Sequence, residues 1–146
     1  AILRLPATGP GEAVPIFENL GIGPGARLAR CDKDHVYVQD SFQRIIRLDL
    51  HTQLAFALPL RFESASAMTA LPGGDLLVLE SRPELAGRLC RVRPGESSKE
   101  VIATLPRLHS EDSIVGIMGA GLAVAPDGSF YVGIAAQQAL FKISPI

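Results

Sequence analysis

The stretch Gly121-Leu122-Ala123-Val124-Ala125-Pro126-Asp127-Gly128-Ser129-Phe130-Tyr131-Val132 decides how this chain is read, because its pattern recurs. Two short apolar runs flank a turn of Pro, Asp and Gly. Pro presets φ, Gly accepts a positive φ, and runs this brief are strands, so the stretch is a β-hairpin. Leu71-Pro72-Gly73-Gly74-Asp75-Leu76-Leu77-Val78 repeats the turn and the second strand, and Cys31-Asp32-Lys33-Asp34-His35-Val36-Tyr37-Val38 repeats their placement, with Asp34 as the turn former. A second column keeps the same register. The tetrad apolar, apolar, basic, apolar stands at Ile2-Leu3-Arg4-Leu5, Ile45-Ile46-Arg47-Leu48, Leu89-Cys90-Arg91-Val92 and Leu140-Phe141-Lys142-Ile143, at spacings of 43, 44 and 51 residues.

Fixed-period self-similarity of this kind marks a repeat architecture. Val36 to Val38, Leu76 to Leu79 and Phe130 to Val132 are continuous apolar runs, the pattern of second strands buried on both faces. Each tetrad then supplies a third strand, and Val14 to Leu20, Leu54 to Leu60 and Val101 to Leu105 supply the fourth strands. Four antiparallel strands in about 40 to 50 residues is the size of a β-propeller blade. The expected fold is all-β, with about three blades, half of a six-bladed ring. Residues 1–20 would hold two strands of a split blade, 21–60 and 61–106 a blade each, and 107–146 a blade lacking its outer strand. A ring needs about four to eight blades, so the expected partner is a second copy completing a half-ring dimer by strand exchange, or the missing half of a longer chain. In the dimer, residues 1–20 of one copy would cover the last blade of the other. Open-ended donation would instead make a self-assembling structural unit.

Gly121 to Val132 resembles the blade signature of the NHL-repeat and gluconolactonase (senescence-marker-like) β-propellers. The likeness is weaker over Ala67 to Leu79 and weakest over Arg27 to Val38, where Asp32-Lys33-Asp34 stands in place of Pro-Asp-Gly. These families form six-bladed or near-six-bladed rings of diverse function, so the resemblance implies a fold more than an activity. Their gluconolactonase-like members hold a metal in a carboxylate- and Asn-rich site. This chain has one Asn, Asn19, and that ligand set does not carry over residue by residue.

Composition closes several classes. The 14 Lys and Arg against 15 Asp and Glu give a net charge of −1, which offers no field for nucleic acid or an anionic membrane. The uncharged stretches Ile114 to Pro126 and Gly128 to Phe141 are 13 and 14 residues long, short of the roughly 18 to 20 a spanning helix requires, so no membrane span is expected. Cys31 and Cys90 are too few for a disulfide framework and read as small core residues. No basic-then-apolar leader opens the sequence, so localisation is left open: a soluble protein is expected, with the exterior or the periplasm as options if a leader has been removed.

Function in a ring of this kind sits on the face where the loops between second and third strands converge with the connections between blades. That face would carry Asp40, Glu80 and Arg82, with the densest polar cluster at His109-Ser110-Glu111-Asp112. His109, Glu111 and Asp112, joined by Asp40 and Glu80, are the residue types that hold a divalent cation such as calcium or serve as an acid–base group. The same cluster reads as a solvated loop capping a short helical turn, and that is the preferred reading. The glycine runs Gly21 to Gly25 and Gly116 to Gly121 lack the strand-to-helix setting of a dinucleotide site, and no GxSxG elbow is present. Arg4, Arg47, Arg91 and Lys142 read as ion-pairing between blades, and His35 and His51 as exposed turn residues. The leading expectation is a non-catalytic module, without a cofactor, that presents its loop face to a protein or small ligand. The alternative is part of a metal-assisted lactonase- or lyase-like enzyme.

Overall fold

A computed structural model describes residues 2–4, 11–17, 22, 27–30, 32–40, 42–63, 65–80, 86–107, 120–134 and 138–144. The described residues are all β, without a helix. They form thirteen strands in four sheets, each a meander in which consecutive strands pair antiparallel. The first sheet is β1 (Ile2–Arg4) and β2 (Val14–Phe17). The second is β3 (Leu28–Arg30), β4 (His35–Gln39), β5 (Arg44–Asp49) and β6 (Ala55–Arg61). The third is β7 (Ala65–Ala70), β8 (Leu76–Glu80), β9 (Ala86–Val92) and β10 (Lys99–Arg107). The fourth is β11 (Ala120–Val124), β12 (Phe130–Ile134) and β13 (Ala139–Ile143).

The repeat is visible in the pairing. Val36 faces Leu48, Leu76 faces Val92 and Phe130 faces Ile143, so the basic residues fall at one register: Arg47 opposite Tyr37, Arg91 opposite Leu77 and Lys142 opposite Tyr131. The hairpin turns match as well. Leu71 N donates to Asp75 O and Ala125 N to Ser129 O, and Gly74 and Gly128 take φ of 95° and 80°, the left-handed region a residue without Cβ enters freely. In the turn between β3 and β4 Asp32 does the work expected of Asp34: its Oδ1 accepts the N–H groups of Asp34 and His35.

The sheets stack in chain order, and each seam holds an apolar cluster. Phe17 packs with Val38, Ile46 and Leu48 between the first and second sheets. Ala29, Tyr37 and Ile45 meet Met68, Leu76 and Val78 between the second and third. Ala67, Leu79 and Leu105 meet Val132 and Ile134 between the third and fourth. Side chains alternate along a strand, so β8, covered on both sides, is buried at every position from Leu76 to Glu80. Strand β12 is buried on one face only, against the expectation for Phe130 to Val132, because among the described residues no sheet covers its other side. Successive sheets meet chiefly through their first strands, β3 with β7 and β7 with β11.

Candidate functional site

Asp40 and Glu80 both stand where a second strand ends and a loop begins, and both carboxylates are wholly shielded from solvent. A buried carboxylate persists only when its oxygens are bonded or its charge is met. At Asp40, Oδ1 accepts the N–H groups of Phe42 and Arg44, each at 2.9 Å, and Oδ2 accepts Arg44 Nε at 2.7 Å. Burial works to raise the Asp40 carboxyl, but the Arg44 backbone and guanidinium bonds outweigh it and hold the group below its usual range.

Glu80 lies in the seam between the second and third sheets. Lys99 and the N–H of Glu63 (2.9 Å) donate to Oε1, while Arg88 Nη2 (2.9 Å) and the Cys90 thiol (3.4 Å) reach Oε2. Lys99 also donates to Arg61 O and lies 5.1 Å from the centre of the Phe62 ring, so one carboxylate ties the chain entering the third sheet to that sheet's outer strand. Burial pushes Glu80 upward, and Lys99 with the Glu63 N–H brings it below the ordinary value. The Cys90 thiol beside it is pushed up to about 12, first by burial and then by the negative charge of Glu80.

The two carboxylates are the same position of the repeat. Val38 corresponds to Val78, which aligns Asp40 with Glu80, and the tetrads, with Ile45 over Leu89, align Arg44 with Arg88. The matching pair in the fourth sheet is Ile134 opposite Ala139, with no charge at all. Asp40 and Glu80 therefore do not converge with each other; each is taken up by an arginine at the start of its own third strand. Arg82, His109, Glu111 and Asp112, the other candidates, lie outside the described residues. Among the described residues no three His, Cys, Asp or Glu side chains group around a point a metal could occupy.

The opposite end carries the hairpin turns. Here two members of the basic column pair within their own sheets, not across the seam: Arg91 Nε and Nη2 lie 2.7 and 2.6 Å from Asp75 Oδ2, and Lys142 Nζ lies 3.8 Å from Asp127. Between the turns of the third and fourth sheets opens a cleft of about 460 Å³, walled by Leu71, Pro72, Val124, Pro126 and Phe130 with the Arg91–Asp75 pair on its lining. His35, expected to be free in solvent, is bracketed by Asp32 at 2.9 Å from Nδ1 and Asp49 at 3.8 Å from Nε2, while His51 is exposed as expected. No helix among the described residues is long and apolar enough to cross a membrane.

Comparison of the chain with protein-family models and with curated proteins returned no match.

Proposed function

We propose that the three larger sheets are successive blades of a β-propeller, and that the protein is a rigid, non-catalytic scaffold whose loop end is bound by a protein or small ligand. The observation that carries this reading is the state of Asp40 and Glu80. The two charged candidates within the described residues spend their oxygens on the fold, each through an arginine and a backbone N–H. Sheets that meet through their first strands support the radial arrangement, as does the likeness of Gly121 to Val132 to an NHL-type blade. A ring takes about four to eight blades, and the outer face of the fourth sheet, bearing Tyr131, Leu140 and Lys142, is where the next would pack.

Thermal unfolding with calcium, magnesium, manganese or zinc separates this reading from a metal-assisted enzyme. A ligand that binds only the folded state stabilises it by an amount that grows with the logarithm of its concentration once that exceeds Kd. The scaffold reading expects no ion-specific rise in melting temperature with any of the four ions. A rise that begins at micromolar concentrations of one ion and keeps growing with its logarithm would favour the lactonase- or lyase-like alternative.

A further inference from the structure

The loop after β4 is built more tightly than a connection between two strands requires. Asp40 N donates to Arg44 O at 2.9 Å and Gln43 N to Asp40 O at 3.4 Å, with Gln43 at a φ of 63°, the left-handed closing residue of a tight hairpin. The Asp40 carboxylate clamps the same loop through Phe42 and Arg44, and Gln39 Nε2 donates to Gln43 Oε1 at 2.9 Å. On this rigid frame Phe42 is 67% exposed, with the Arg44 guanidinium 5.4 Å from its ring centre. An exposed aromatic whose backbone is fixed in advance loses little freedom on binding, which is the property of an interface anchor.

A second observation supplies the charge. Arg61 on β6 is directly opposite Arg44, and like charges so placed weaken a sheet. Arg61 is exposed, and among the described residues its side chain has no carboxylate partner. Arg44 already serves the fold as the partner of Asp40, but Arg61, set against it, does nothing for the sheet that a neutral residue would not do better.

Building on the scaffold reading, we propose that Phe42, Arg44 and Arg61 form the surface that takes an acidic peptide segment of a protein partner. An apolar side chain of the partner covers Phe42, and carboxylates on either side meet the two guanidinium groups. A protein segment fits better than nucleic acid, because the chain as a whole is net negative and carries no phosphate-tracking excess of cations.

Selection of a phage-displayed random peptide library against the full chain tests this. The expected winners carry Asp or Glu around one aromatic or aliphatic residue. A synthetic representative should bind about tenfold more weakly to Phe42→Ala, which keeps the parent melting temperature, and to Arg61→Glu, which keeps or raises it by facing Arg44, and should weaken in 0.5 M salt. Three results would overturn the proposal: no enrichment, a preference for a short oligothymidylate over the peptides, or enriched peptides that bind both variants as well as the parent. In the last case the peptides dock elsewhere and the scaffold reading survives. A metal-dependent rise in melting temperature would instead remove that reading while leaving the peptide result intact.

Discussion

Asp40 and Glu80 occupy one position in successive sheets, and each closes the same ion pair, with Arg44 and with Arg88. The fourth sheet fills that position with Ile134 opposite Ala139. The repeat thus offers two solutions to one structural problem, a charged clasp or an apolar contact, and the difference can be measured.

Glu80→Ile should destabilise the protein by about 3 kcal/mol, since it leaves Arg88 and Lys99 without their shielded partner. Glu80→Ile with Arg88→Ala, which copies the fourth sheet, should cost less than the sum of the two single changes. Urea midpoints of the four proteins check this. Simple additivity would mean that the pair is not a coupled unit.

Acid should loosen the fold through these same groups. Asp40 and Glu80 both lie below their ordinary values of 3.8 and 4.5 in the folded protein, so their contribution is fully present above about pH 4.5 and is lost as pH falls through the folded values. Stability measured from pH 7 to pH 3 should therefore hold level and then decline, and Glu80→Gln should show a shallower decline than the parent. An identical acid limb in the variant would contradict the assigned cause.

Glycine positions should divide in two. Gly128→Ala forces a Cβ into a φ of 80° and should cost about 1 kcal/mol. Gly133→Ala, at a strand position where an added Cβ meets nothing within 4 Å, should be neutral or slightly stabilising. Thermal midpoints of the two variants in the opposite order would refute the turn geometry.

Cys90, buried and with its thiol pushed up to about 12, should resist a thiol reagent at pH 8 in the folded protein and react at once in urea. A Cys31→Ser background isolates the signal. Rapid labelling without denaturant would mean that the seam around Glu80 opens readily.

The strands were legible because short-range chemistry makes them: Pro72-Gly73-Gly74 and Pro126-Asp127-Gly128 announce their turns, and the tetrads announce their third strands, to within three residues at each end. What side chains do across strands was not. Asp40 and Glu80 looked like ligands because a carboxylate in a loop reads as available, and only the fold brings Arg44, Arg88 and Lys99 against them. A signal was present: aligning Val38 with Val78 places Asp40 over Glu80, and aligning the tetrads at Ile45 and Leu89 places Arg44 over Arg88, two matched columns of opposite charge. The basic column misled for a similar reason. Alternation put Arg91 on the face toward the next sheet, but its partner Asp75 is the turn carboxylate of its own hairpin, one strand away. His35 was missed because Asp49, which completes its bracket with Asp32, is 14 residues further along the chain.

In the proposed propeller the sheets fan out from an axis like blades. Spin labels placed at Leu28 and Ala123, on the first strands of the second and fourth sheets, and in a second sample at Phe56 and Lys142, on β6 and β13, measure it by pulsed dipolar spectroscopy. Strands in a sheet lie about 4.8 Å apart, so a radial arrangement places the outer pair more than about 10 Å farther apart than the inner pair. Two distances equal within a few ångströms would describe a flat pile of sheets and contradict the propeller.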